Sequence, residues 1–378
     1  MSVVSSDLNR DGKPDLVMAN YAAASVSVLL GRGDGTFDAE IRYSVKSAPT
    51  SVAVADLNGD GTPDLIVASY GSSQVSVLLG AGNGTFQQPV NYVSYATSNN
   101  IEPYAVAVGD FNGDGKADLA VTNYSSTGFP FAEGKSVSIL LGNGDGTFQP
   151  PVEFAAGSGP MSIAVADMNG DGHLDLVVAN NFSNDVSILI GNGDGTFRQA
   201  LTVDAGDRPS AVAIADFDGD GIPDIAVTNS FAGTVSVLLG SGNGAFRQRV
   251  AYPTDPYTDP FSVAAVDLNG DGKLDLAVAM WFCCDPEDPS ALGTLNVLKG
   301  NGDGTFQPSL PFDRPEFVRH ARSLVAADFN GDGKPDLAIV NEVDISIFTN
   351  TTTATGGEPP DAATVRKHKI AELTLPAG

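Results

Sequence analysis

Short apolar runs that alternate with small or polar residues recur along the chain, and none keeps a helical period. One unit reads SVAVAD (51–56), then DLIVAS (64–69), QVSVLLG (74–80) and a weaker run around QPVNYV (88–93). All four are short and rich in Val, Leu and Ile, which predicts strands. Between the first two lies DLNGDGTPD, an acidic stretch that recurs with its first Asp at Asp7, Asp56, Asp110, Asp167, Asp216, Asp267 and Asp328. These starts lie 49 to 61 residues apart, the spacing of propeller blades that are each one four-stranded sheet. The expectation is an all-β, seven-bladed β-propeller of four-stranded antiparallel blades over residues 1–350. Its blades should start near 2, 51, 105, 162, 211, 262 and 323.

A second motif follows the third run of each unit: GRGDGTF (31–37), GAGNGTF (80–86), GNGDGTF (142–148), GNGDGTF (191–197), GSGNGAF (240–246) and GNGDGTF (300–306). Asp-Gly and Asn-Gly are hairpin-turn pairs, because both central residues accept positive φ. The closing Phe of each copy is expected to pack between neighbouring blades. Seven acidic loops against six such turns leaves the last unit incomplete. Its third run, DISIFTN (344–350), leads into 351–369, which has linker composition. The tail IAELTLPAG (370–378) resembles the fourth strands elsewhere and is expected to finish blade seven, the alternative being a disordered tether.

Composition changes the picture in one respect, charge. The net charge is −26, which argues against nucleic acid as a partner. The seven acidic loops hold much of it. Seven bound divalent cations would add fourteen positive charges and bring the total to −12. No apolar run is long enough to cross a membrane, so no membrane insertion is expected. Met1 leads directly into the first repeat without a secretory signal, so either the natural N-terminus lies upstream or export uses another route.

In the pattern D-x-N-x-D-G-x-x-D, positions 1, 3, 5 and 9 offer side-chain oxygens and position 7 a backbone carbonyl. Gly at position 6 lets the chain turn over an ion. The candidate ligands are Asp7, Asn9, Asp11, Lys13 and Asp15; Asp56, Asn58, Asp60, Thr62 and Asp64; Asp110, Asn112, Asp114, Lys116 and Asp118; and Asp167, Asn169, Asp171, His173 and Asp175. The remaining loops offer Asp216, Asp218, Asp220, Ile222 and Asp224; Asp267, Asn269, Asp271, Lys273 and Asp275; and Asp328, Asn330, Asp332, Lys334 and Asp336. Lys13, Thr62, Lys116, His173, Ile222, Lys273 and Lys334 would contribute through their carbonyls. An all-oxygen set excludes zinc and copper, and calcium suits it better than magnesium. About seven Ca2+ ions are expected. The Glu that an EF-hand carries at position 12 is absent, Val67 standing there in the second loop, so the loop should join two strands of a hairpin. Loop one has Arg10 where the others have Gly, with its ligands intact. Metal here should stabilise, because three or four carboxylates in one turn repel without it.

SVAVADLNGDGTPDLIVAS and VSVLLGNGDGTF resemble the FG-GAP/VCBS repeat proteins, the seven-bladed propellers that include the integrin α-subunit head. The resemblance covers roughly residues 2–350 and implies calcium loops between first and second strands on one face of a disc. It also implies that partners bind the opposite face. Integrin heads carry the loop on some blades only, so seven copies depart from them.

On that opposite face two connections are long: NYSSTGFPFAEGKS (123–136) and MWFCCDPEDPSALGT (280–294). Extra length in a regular repeat is a functional signal. Trp281, the sole Trp, with Phe282 offers a stacking platform for a sugar or a protein contact. Asp285, Arg319, His320 and Arg322 complete the candidate ligand patch, against the plainer reading of packed aromatics and solvated ion pairs. Tyr21, Tyr70 and Tyr124 stand at positions equivalent to Trp281, where packing is the first reading and extension of the platform the second. Adjacent Cys283 and Cys284 would form a strained vicinal disulfide or remain thiols, which are hard to keep reduced outside a cell. No nucleophile elbow, zinc motif or phosphate loop is present. His320 with Arg319 and Tyr257 as a lyase-type site is the lesser alternative. The expected function is an extracellular, bacterial, calcium-stabilised binding module for a glycan or protein and not an enzyme, with a ligand-free scaffold as the alternative.

Overall fold

The computed structural model describes residues 2–95, 101–125, 134–254, 258–282, 293–313, 321–341 and 345–350. Within them the chain forms six four-stranded antiparallel sheets and a seventh of three strands, each in simple sequence order. The blades occupy 3–44, 49–93, 102–155, 160–204, 209–253, 258–313 and 323–348. The tail expected to supply a last strand lies outside the described residues, as do Tyr257, Cys283, Cys284, Asp285, Arg319 and His320.

Burial explains the strand compositions. The second strand of blade two, Asp64–Ser69, is buried at every position, and the third, Gln74–Leu78, at nearly every one. Such strands are covered on both faces by neighbouring blades, so they read as continuous apolar runs. The fourth, Val90–Val93, is a mostly exposed edge. First strands touch the first strands of the next blade around the ring. Seven core clusters form, one per blade interface. One of these joins Val3, Leu16 and Phe37 of blade one to Phe329, Val340 and Ile347 of blade seven, and so closes the circle.

Polar contacts follow the same circle. Ser51, Ser162, Ser262 and Ser323 each accept from the backbone N–H of Val106, Val212, Leu324 and Val3 on the next blade. The glycine-rich turns clasp the acidic loop of the preceding blade. Gly146 N–H donates to the Leu57 carbonyl at 3.1 Å and Gly195 N–H to the Phe111 carbonyl at 2.9 Å. Gly35 N–H reaches Phe329 of blade seven at 2.8 Å. The Phe rings pack across the same seams, Phe197 on Phe111 and Phe306 on Phe217, edge to face. The expected turn geometry needs one correction. Positive φ falls on Gly33 and Gly35, at 74° and 78°, and Asp34 between them stays out of that region. The Asp34 carboxylate instead accepts from the N–H and hydroxyl of Thr36, which holds the turn without a left-handed Asp.

Blade six corrects a second expectation. Its second strand runs Asp275–Phe282, and its first starts at Thr258, with Asp259 opposite Trp281. Met280, Trp281 and Phe282 thus extend a strand and do not open a loop. Pairing continues beyond the irregularity at Pro260/Ser262 because the lengthened first strand supplies a partner.

Candidate functional site

The acidic loops all join first to second strands, so they share one face of the ring. Their hydrogen bonds repeat. Asp7 Oδ1 and Oδ2 accept from the N–H groups of Asp11 and Gly12 at 3.0 and 2.8 Å. The last Asp of the loop is buried and works harder. Asp15 accepts from Leu8 N–H at 2.8 Å and from Gly31 N–H at 2.7 Å, tying its loop to the end of the third strand. Asp64, Asp118, Asp175, Asp224 and Asp275 repeat the pair. Burial pushes the carboxyls of all these last aspartates up, and that of Asp336 up to about 6.

The donor chemistry of the loops fits a hard cation. In blade five, where Asp218 replaces Asn, carboxylate oxygens of Asp216, Asp218 and Asp224 lie within 4.8 Å of one another. An ion with oxygen contacts of about 2.3–2.6 Å spans such a gap. Arg247 offsets the extra charge, with its guanidinium 3.2 Å from Asp218 and 3.7 Å from Asp220. Arg10, the residue that departs from Gly in loop one, takes a left-handed φ of 63°. Its guanidinium donates to Thr62 Oγ1 of the next loop at 2.8 Å, so the departure becomes a bridge between blades.

The opposite face carries an axial cavity of about 360 Å3, lined by Tyr21, Thr50, Tyr70, Tyr104, Tyr124, Met161 and Arg322. Four of its rings interlock: Tyr104 and Tyr124 have centroids 5.2 Å apart, and Tyr70 sits about 6 Å from each, at 6.1 and 5.9 Å. Phe182 extends the cluster beyond Tyr124 at 5.5 Å. Burial, then neighbouring Tyr104 and Tyr70, pushes the Tyr124 phenol up to about 12. Burial also raises Tyr104, against the nearby Arg322 charge. These phenols stay protonated and act as hydroxyl donors and acceptors at neutral pH.

Of the expected ligand patch, the described residues bring together Trp281 and Arg322. The guanidinium lies 3.3 Å from the Trp281 ring centroid and 5.2 Å from that of Phe261, and those rings are themselves 5.8 Å apart. One face of Trp281 is therefore covered by Arg322, which corrects the open stacking platform expected there. Tyr21, Tyr70 and Tyr124 line the cavity, the second of the two readings given to them. The side chain of Phe282 lies outside the described set. Tyr104, Thr50 and Met161 were missed, although the repeat marks them. They and Arg322 stand six residues before the first Asp of a loop, while Tyr21, Tyr70 and Tyr124 stand six after its last Asp. A ring of first-strand starts and second-strand ends is the mouth of a propeller axis.

Comparison with known proteins agrees with this geometry. The model of the FG-GAP-like repeat matches residues 7–67, 56–121, 129–178, 167–227, 216–278 and 282–363, and that of the FG-GAP repeat matches 103–140. No curated protein matches the chain. Among solved structures, an Agrocybe aegerita lectin that recognises non-reducing terminal N-acetylglucosamine is 23% identical, with 96% of this chain and 95% of that one covered at a TM-score of 0.59. BBS1N in complex with ARL6DN is 15% identical, over 93% of each chain, with a TM-score of 0.60. A streptogramin B lyase is 15% identical, over 92% of this chain and 91% of that one, at 0.59. A lectin, a protein complex and a lyase on one architecture establish the fold alone.

Proposed function

Since this chain belongs to the FG-GAP-like repeat family, we propose that it is a calcium-stabilised binding module that takes a glycan or protein at the axial mouth opposite the acidic loops. The observation that carries this reading is the tyrosine-lined cavity. Aromatic faces beside fixed hydroxyls form an amphipathic, preorganised wall, and a cavity of about 300–1,000 Å3 is the usual size of a small-ligand site. The lectin on the same fold supports a glycan. The protein complex supports the alternative partner class.

Calcium belongs to the other face. The oxygen-only loops would hold it through positions 1, 3, 5 and 9, with position 7 contributing a carbonyl. When bound it supplies positive charge that turns carboxylate repulsion into attraction. The chain's own share is to hold the last Asp in place through two backbone donors. Sites of this type suit the calcium concentrations found outside cells, and the proposal is accordingly a secreted or surface-attached protein. The module is read as non-catalytic.

The test is a panel of oligosaccharides and candidate protein ligands, titrated in saturating calcium against wild type and Tyr21→Ala. Tyr21 is 43% exposed and lines the cavity, so its truncation leaves the core intact. A ligand bound by wild type and weakened about tenfold or more by Tyr21→Ala supports the axial site. Equal binding to both proteins would move the site elsewhere, and no ligand at all would favour the scaffold reading.

A further inference from the structure

Aromatic cages ordinarily recruit cations, because the faces of the rings are electron-rich. Here the chain has supplied the cation itself. Arg322 is stacked on Trp281, packs near Phe261, and lines the same cavity as Tyr21, Tyr70, Tyr104 and Tyr124. The stacking uses the face of the guanidinium and holds it in one orientation, whereas anion recognition uses its N–H edge. A second cation entering this cavity would meet a like charge already in place.

The geometry points to a carboxylate-bearing sugar residue as the ligand of the axial cavity, its acid group held by Arg322 and its ring stacked among the tyrosines. This rests on the binding-module reading and names its substrate class. Three features of the wall divide the recognition. Arg322 supplies a fixed positive charge for the carboxylate. The rings of Tyr104 and Tyr124 present apolar surface to the C–H face of a pyranose. The phenolic oxygens and Thr50, which line the same cavity, meet sugar hydroxyls. Thr50 also donates to the Tyr104 carbonyl at 2.6 Å and so holds the adjoining first strand in register. The acidic neighbours do not cancel the charge at the binding point. Glu102 is a partner of Tyr70, and Asp259 is influenced by Arg208 on another blade.

A neutral glycan would use the tyrosines and leave Arg322 without purpose in the cavity. A peptide acid would use Arg322 but would not need a wall of paired phenols. An acidic sugar uses both.

The experiment is calorimetric titration of the full chain in saturating calcium with four probes: trigalacturonate, its methyl ester, a neutral galactotriose and a short peptide with a free C-terminal carboxylate. Trp281 fluorescence, which is sensitive to the stacked Arg322, is the second readout. Trigalacturonate should bind roughly tenfold or more tighter than its ester. Arg322→Gln should erase that preference while keeping residual affinity for the ester, and Arg322→Lys should restore part of it. Glu102→Gln should leave the preference in place. Equal binding of acid, ester and neutral sugar would overturn the acidic-ligand inference while the glycan-binding reading survived. Preference for the peptide carboxylate would overturn it in favour of a protein partner. Silence from all four probes overturns it as well, and a positive result for some other ligand in the wider panel above would then show that only this inference had failed.

Discussion

Asn350 replaces an entire missing motif with one side chain. Blade seven has no glycine-rich turn among the described residues, yet both bonds that the turn makes elsewhere are present. Asn350 N–H donates to Asp336 Oδ1 at 2.6 Å, as Gly31 N–H does to Asp15. Its side-chain amide donates to the Leu268 carbonyl of the preceding loop at 2.7 Å, where Gly304 of blade six uses its backbone on Phe217. Asn350→Ala leaves a buried carbonyl without that donor and should cost about 1–3 kcal/mol in chemical denaturation. A change within error would mean that blade seven is held by other contacts. Asp336 itself carries a pH prediction. Burial raises its carboxyl from 3.8 to about 6. A value raised in the folded state favours the protonated form, so in the metal-free protein its contribution is full below about 3.8 and lost as the pH rises through about 6. Calcium demands the opposite, an ionised carboxylate. Melting in chelator should therefore fall from pH 4 to pH 7, while the gap between calcium and chelator widens. A gap of constant size across that range would refute the link.

The hairpin that carries each acidic loop is an element built around close backbone approach. The first glycine of the turn, Gly142 in blade three, has room for no side chain, since a Cβ there would sit 2.1 Å from the Ala117 carbonyl oxygen. Gly142→Ala must push the third strand away from the loop. It should destabilise by about 1–3 kcal/mol, with the melting temperature as readout. A neutral result would show that the strand end can relax. At this scale the sequence was informative wherever a residue type is forced by geometry. The acidic loops, the glycine turns and the strands between them are legible because Asp, Asn and Gly at those spacings have few alternatives. The end of the second strand in blade six was not, since Trp281–Phe282 reads equally as strand or loop until the lengthened first strand is seen opposite. Asn350 was illegible for a similar reason: nothing local distinguishes it from any Asn at the end of a run. The cavity was half legible. The positions six residues outside each loop are marked by the repeat, but their occupants vary from Thr and Met to Tyr and Arg, so only the ring arrangement reveals that they converge.

At the scale of the whole molecule, the two faces divide the work. One holds seven acidic loops that clamp first strand to second and, through the glycine turns, each blade to its neighbour. The other presents the axial mouth, where Tyr21, Tyr70, Tyr104, Tyr124 and Arg322 come from four different blades. The mouth keeps its shape only while the ring stays closed. Closure rests on the packing of Val3, Leu16 and Phe37 against Phe329 and Ile347, and on the Gly35 bond to Phe329 inside the last loop. Stability of the acidic face is thus a condition for binding at the other. Thermal melting of the full chain at pH 7, in calcium and then in chelator, tests this most directly. Several sites filled well above their dissociation constants should raise the melting temperature by ~10 °C or more, and the curve in chelator should broaden as blades part. Identical melting in both conditions would contradict calcium as the element that holds the ring.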